Sequence, residues 1–206
     1  MQLTRAFITI LLAFVSLCSC NDVSQNEKEL IETKAIPLNT VNKNLLILKP
    51  NTGQWYYNDQ PFNGYGILFF ENKNIAEKIG YIDGKREGEF FSFFRNGNLK
   101  KEGYYINNKL HGKKINYYEN GKIYSELNYE NGVLHGVQRT WFINGELSKK
   151  RTLDFGQEQG LQQAWLEDGR LYVNYEAKDG RIYGMRRANS CYQLEDEIVT
   201  KKRKSI

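Results

Sequence analysis

An all-β fold, an antiparallel β-hairpin repeat array forming a single twisted meander sheet, is predicted by three observations. The first is a strict 24-residue period: Gly64, Gly88, Gly112, Gly136, Gly160 and Gly184 fall on it without a gap. The second is a set of apolar columns in the same phase. Phe69, Phe93, Tyr117, Trp141 and Trp165 form one, and Phe70, Phe94, Tyr118, Phe142 and Leu166 another. Ile75, Leu99, Ile123, Leu147 and Leu171 form a third, and Tyr57, Tyr81, Tyr105 and Tyr129 a fourth that decays to Leu153 and Ala177. Helical spacing fits none of them. The third is turn chemistry at fixed points, with Gly97, Gly121, Gly145 and Gly169 in register and Lys73 as the exception.

Each unit reads as two strands and two turns. In the second unit, EFFSFFR (Glu89 to Arg95) is aromatic-rich and of strand length. Asn96-Gly97 turns the chain, because glycine takes positive φ without steric cost. LKKEGYYI (Leu99 to Ile106) returns, and the stretch Asn107 to Gly112 turns it again, as Asp83-Gly84 and Asn131-Gly132 do in neighbouring units. A three-residue loop with Gly97 left-handed pairs Phe93 with Leu99. It is expected to place Phe91, Phe93, Leu99, Gly103 and Tyr105 on one face, and Phe94 on the other beside Ser92, Lys100, Glu102 and Tyr104. With strands about 4.8 Å apart, a unit advances roughly 10 Å and five to six units reach roughly 50–60 Å.

Terminal units of such an array need capping. Trp55-Tyr56-Tyr57 aligns with Ile79-Gly80-Tyr81 and is expected to start the array. LLILKP (Leu45 to Pro50) offers a covering edge strand, and Cys191-Tyr192-Gln193-Leu194 a closure at the other end. Residues 21–43, rich in Asn, Glu and Lys, read as a flexible tether. The expected organisation is 1–19 signal peptide, 20–50 lipidated N-terminus, tether and capping strand, 51–190 repeat domain, and 191–206 capping segment and basic tail.

The N-terminus explains the tether. Met1 to Arg5 is a short, positively charged start, and Ala6 to Leu17 is a twelve-residue apolar run. That is too short to span a bilayer and is the length of a signal-peptide core. Leu17-Cys18-Ser19-Cys20 follows, and it resembles the bacterial lipobox, which implies lipidation of Cys20. Two or more acyl groups suffice for stable anchoring. The compartment expected is the bacterial cell envelope. Asn21 is not the aspartate that in some bacteria signals inner-membrane retention, so the outer membrane is favoured by analogy.

Cys191 is then the one cysteine left with its thiol free, so no internal disulfide forms in the mature chain. It reads as a small buried residue. The net charge is +5; removing residues 1–19 takes away only Arg5 and leaves +4, equal to Lys201, Lys202, Arg203 and Lys204. The body is near neutral, so no nucleic-acid face is expected.

The units carry G-x-x-x-x-Y/W-Y/F-x-N-G-x-L/I, as GKKINYYENGKI (Gly112 to Ile123) and GVQRTWFINGEL (Gly136 to Leu147). Across roughly residues 55–187 the chain resembles MORN repeats of the longer bacterial variant. The resemblance implies a hairpin array that binds proteins or membranes. Asn72-Lys73 and Phe155-Gly156 depart from the pattern, and distorted turns are expected there.

Catalytic and metal chemistry finds little support. His111 and His135, the two histidines, hold one repeat position, filled elsewhere by Asn63, Glu87, Gln159 and Tyr183. That variety suggests a tolerant turn. Equivalent atoms one unit apart are roughly 10 Å apart, too far for one zinc, whose ligand bonds are about 2.1 Å. Glu102 and Glu126 also stand one unit apart, but Lys78 and Lys150 share their column, which suits cross-strand pairing. Gly64-Tyr65-Gly66 is not a phosphate loop, since no helix follows. No cofactor is expected. The candidate binding surface is the ladder Phe70, Phe94, Tyr118 and Phe142, for an envelope protein partner or, alternatively, a glycan. Labelling with a lipid precursor is expected to track Cys20, and a Cys20→Ala protein to leave the membrane fraction.

Overall fold

The computed structural model describes residues 34–185. Among the described residues the regular structure is all β, apart from one 3-10 turn at Lys43–Leu45. Strand β1 (Thr40–Asn42) precedes a small group, β2 (Ile47–Lys49), β3 (Gln54–Tyr57) and β4 (Gln60–Pro61). The array follows as β5 (Gly64–Phe69), β6 (Ile75–Ile82), β7 (Lys85–Phe93), β8 (Leu99–Ile106), β9 (Lys109–Tyr117) and β10 (Ile123–Glu130). It continues as β11 (Val133–Leu134), β12 (Gly136–Trp141), β13 (Leu147–Asp154), β14 (Gln157–Trp165), β15 (Leu171–Lys178) and β16 (Arg181–Met185). From β5 to β16 strands pair in chain order as an antiparallel meander, with β11 and β12 sharing the side of β10.

Two kinds of turn build it. Along one edge, two-residue loops sit at Asp83-Gly84, Asn107-Asn108, Asn131-Gly132, Phe155-Gly156 and Asp179-Gly180, each with both residues at positive φ. Such primed turns match the twist of paired strands. Along the other edge the amide of Gly97 donates to the Phe94 carbonyl at 2.9 Å, and the amide of Phe94 to the Asn98 carbonyl at 2.8 Å. Asn96 Oδ1 accepts from the Asn98 amide at 2.9 Å. The same pattern recurs at Asn72, Asn120, Asn144 and Asp168. Neither departure from the sequence pattern distorts its turn, because Lys73 and Phe155 adopt the left-handed backbone their positions require, at φ 66° and 41°.

The pairing of Phe93 with Leu99 is as expected. The face assignment beyond it is not. Ser92 pairs with Lys101, so Lys100 is an extra residue, and from there Phe91 faces Glu102 while Phe90 faces Gly103. A bulge adds one residue to one strand and inverts every later side chain relative to its partner. Gly103 and Tyr105 therefore share the face of Phe90 and Ser92, while Glu102 and Tyr104 share that of Phe91 and Phe93. The periodic glycines mark a second bulge. Gly88, Gly112, Gly136 and Gly160 have φ of 73°, 68°, 80° and 81°, beside register shifts or the break between β11 and β12. Only Asn107-Asn108 of the expected turn Asn107–Gly112 is a turn; β9 is already under way at Lys109.

The meander is not the whole fold. β2, β3 and β4 form a separate three-stranded sheet. It folds over the face carrying Tyr81 and Phe90, called here the capped face. Leu46, Phe62, Ile79, Tyr81 and Phe90 form the buried cluster, with Val41, Trp55, Tyr57, Tyr105 and Leu110 packed against it. Tyr81 is fully buried. Trp55-Tyr56-Tyr57 thus belongs to this cap rather than to the first hairpin, and Ile47–Lys49 of LLILKP pairs with β3. The edge beside β5 is held instead by β1, in parallel. A parallel strand needs a crossing connection, which the cap segment supplies. Of residues 21–43, the part from Thr40 is structured in β1 and the 3-10 turn. Cys191–Leu194, Cys20 and the basic tail lie outside the described residues.

The cap packs tightly against one turn glycine of the array, Gly84. The Trp55 amide donates to the Gly84 carbonyl at 2.6 Å, and a Cβ on Gly84 would stand 2.7 Å from the Trp55 carbonyl oxygen. Asparagine fills the equivalent turn position at Asn108, so the turn itself tolerates it. Gly84→Asn is expected to cost roughly 1–3 kcal/mol through overpacking, whereas Gly156→Asn, whose nearest neighbour is Val133 at 3.5 Å, should change stability by less than about 0.5 kcal/mol. Urea unfolding of both variants checks the contrast.

Candidate functional site

The surface is built from the register upward. The first aromatic of each doublet ends a strand on the outer face, opposite the cap. Phe69 pairs with Ile75, Phe93 with Leu99, Tyr117 with Ile123, Trp141 with Leu147 and Trp165 with Leu171. Aromatic–aliphatic pairs of this kind stabilise a sheet. They also leave apolar surface: Phe69 is 48% exposed, Ile75 and Ile123 39%, with Tyr124 and Ile143 exposed beside them. The columns were visible in the sequence, and so was the pairing of Phe93 with Leu99 that sets two of them on one face.

The second aromatic of each doublet opens a hairpin turn. Phe70, Phe94, Tyr118 and Phe142 are all half-buried. Arg95 lies over the Phe70 ring, 5.7 Å from its centroid, and Lys100 over Phe94 at 5.4 Å. The Tyr118 hydroxyl donates to the Trp141 carbonyl at 2.9 Å, and its ring meets Tyr124 edge-on at 5.2 Å. Asn98 Nδ2 donates to the Glu119 carbonyl at 2.9 Å, and Asn72 Nδ2 to the Arg95 carbonyl at 3.2 Å. The ladder thus clamps successive turns, and cations cover two of its ring faces.

The histidines stand at bulges rather than in turns. Their repeat position accepts a hydrogen bond from the first residue of the next two-residue turn. Asn63 Oδ1 takes the Asp83 amide at 2.9 Å, Glu87 Oε2 the Asn107 amide at 2.8 Å, and Gln159 Oε1 the Asp179 amide at 3.4 Å. His135 Nδ1 takes the Phe155 amide at 3.5 Å, with Glu130 and Asp154 carboxylates at 3.6 and 3.4 Å. His111 Nδ1 is buried without a partner. Asn63, Glu87, His135 and Gln159 each bring an acceptor atom to that amide, and His111 does not.

Glu102 and Glu126 lie on the outer face, both against Ile115. Glu126 is held by Arg139 at 3.0 Å and Lys113 at 3.1 Å. Glu102 accepts from the Tyr117 hydroxyl at 2.6 Å. Burial first, then this bond, pushes the Tyr117 phenol up to about 12. Both carboxylates are spent on cross-strand partners. Among the described residues no group of His, Cys, Asp and Glu could hold a metal, and no helix is long and apolar enough to cross a membrane.

One turn breaks the local rule. Phe155 takes the left-handed position that Asp or Asn fills elsewhere, at φ 41°, while 55% exposed and stacked 4.7 Å from the His135 ring. Left-handed backbone costs a non-glycine residue about 1–2 kcal/mol, and Asn less. Phe155→Asn is therefore expected to stabilise the chain by about 1 kcal/mol, read as an increase in the urea midpoint at unchanged slope.

The family described as the MORN repeat variant matches residues 86–107 and 110–131, which span β7–β8 and β9–β10. No curated protein matches the chain. The chain is therefore a β-hairpin repeat protein similar to that family across its two central units, a repeat class of protein- or membrane-binding modules.

Proposed function

We propose that this chain is a non-enzymatic, lipid-anchored repeat protein of the bacterial cell envelope, which presents its sheet to a protein partner. Lipidation at Cys20 anchors it, most consistently at the outer membrane. The observation that carries the reading is the apolar surface of the outer face, where Phe69 and Ile75 are exposed in the first unit and Ile123 and Tyr124 in the third, with the half-buried pair Phe93 and Leu99 between them. Exposed apolar stripes mark partner sites, and a rigid two-dimensional hydrogen-bonded sheet holds them at fixed spacing. The spent carboxylates Glu102 and Glu126 fit binding rather than catalysis. The turn-edge ladder Phe70, Phe94, Tyr118 and Phe142 borders the same stripe and extends the surface at its rim. A glycan ligand is less favoured, since Arg95 and Lys100 already lie over the ring faces on which a sugar would stack.

A photo-crosslinking residue at Ile123 is expected to capture a discrete envelope protein in cells, and one at Lys109, exposed at the opposite edge of the sheet, is not. The double variant Phe69→Ser/Ile123→Ser should lose the partner in co-purification while it stays folded, its urea midpoint lowered only by the loss of two cross-strand pairs, about 0.2–1 kcal/mol each. Unchanged co-purification by that variant would refute the docking stripe.

A further inference from the structure

The opposite face carries a second surface. Following the register across the sheet, Lys101, Lys114, Lys149 and Arg151 all point to the capped face, beyond the part that β2–β4 covers. Burial lowers the Lys114 pKa, and Lys101 beside it lowers it further. The carboxylate facing this end of the row is Glu158, which accepts from the Tyr175 hydroxyl at 2.6 Å and stands 3.9 Å from Arg151. Lys149 has no ion-pair partner among the described residues. Between β13, β14 and β15 the same face holds a hollow of about 510 Å³, lined by Lys149, Arg151, Glu158, Gln162, Tyr172 and Tyr175. The outer face differs: its Glu126 is matched by Lys113 and Arg139.

We propose that this hollow binds the side-chain carboxylates of an extended acidic peptide segment, with Arg151 and Lys149 as the recognising cations and the tyrosines as its walls. The proposal goes beyond the docking stripe, since it concerns the other face and a different chemistry. Arg151 offers a planar fork that pairs a carboxylate through two bonds. Lys149 and Arg151 stand two residues apart on β13, about 7 Å along an extended chain, a spacing that suits carboxylates at alternate positions of an extended peptide better than one multiply charged group. The row runs on to Lys114 and Lys101, so the ligand is elongated. A bilayer fits less well, because Phe69, Ile75 and Ile123, the side chains available for insertion, lie on the outer face.

The test is fluorescence anisotropy with a labelled decapeptide of alternating Glu and Ser, using the full mature chain at low salt. Saturable binding is expected, weakening as salt screens the charges, with an alternating Gln and Ser peptide giving at least tenfold weaker binding. Arg151→Gln/Lys149→Gln should reduce affinity tenfold or more, and Lys113→Gln on the outer face should leave it unchanged. Glu158→Gln, which removes the repelling carboxylate, should tighten binding severalfold. It keeps the test decisive if the double variant folds poorly. Equal binding of both peptides, or affinity unaffected by the Arg151/Lys149 and Glu158 changes, would overturn the proposal. So would binding only to phosphatidylglycerol vesicles.

Discussion

The structure depends on a left-handed backbone imposed at the same places in every unit and tied across units by hydrogen bonds. In four of the five two-residue turns the second residue donates its amide to a carbonyl in the preceding unit: Gly84 to Phe62, Asn108 to Arg86, Gly132 to Leu110 and Gly156 to Leu134, at 2.7–2.9 Å. The first residue donates to the bulge side chain of that unit, at Asn63, Glu87, His135 or Gln159. Turn and bulge are thus one device. The bulge exists because the periodic glycine reaches positive φ cheaply, and it brings an acceptor to a turn amide that would otherwise face only solvent. Each unit fixes the next, which is the nearest-neighbour coupling of repeat proteins.

That device also separates what sequence could reveal from what it could not. Period, turn positions and the pairing of Phe93 with Leu99 follow from local chemistry and were legible. Faces were not, because a bulge moves every subsequent side chain while leaving the period intact; Gly103 and Tyr105 changed sides for the single extra residue Lys100. The histidine position looked tolerant because its side chains differ in charge and shape. The property that Asn63, Glu87, His135 and Gln159 share, an acceptor atom within reach of a turn amide, becomes visible only when the donor twenty residues later is seen. The cap was hidden for another reason. Trp55-Tyr56-Tyr57 copies the repeat pattern yet packs across the sheet, since burying Tyr81 and Phe90 needs a second layer that a lone meander lacks.

The capped face shows how the array does without that layer further along. One register position reads Phe90, then Lys114, Gln138 and Gln162. An aromatic ring serves where Leu46 and Phe62 cover it. Past the cap an amide takes over: Gln138 Oε1 accepts from the Asn128 amide at 2.8 Å, and its Nε2 donates to the carbonyls of Asn128, His135 and Gly136 at 3.1–3.2 Å. Gln162 Nε2 donates likewise to the carbonyls of Thr152 and Gly160, at 2.7 and 3.2 Å, while its Oε1 is buried without a partner. A buried amide that satisfies the bulge carbonyls itself avoids the cost of leaving them unpaired. Polarity on this face is therefore structural first, and the cations beside it are free of that duty.

A difference in stability along the array follows from this change of core. Units next to the cap share the cluster of Tyr81, Phe90 and Phe62, whereas units near β15 rest on smaller or polar side chains, Ala164, Gln162 and Ala177 among them. Apolar burial contributes about 25 cal/mol per Å², so the far units gain less from their core and open at lower free energy. Binding surfaces are drawn from such regions because a ligand that holds only the closed form stabilises it by mass action. An occupant of the hollow between β13 and β15 would therefore act as a second cap, supplying at that end of the array what β2, β3 and β4 supply at the other.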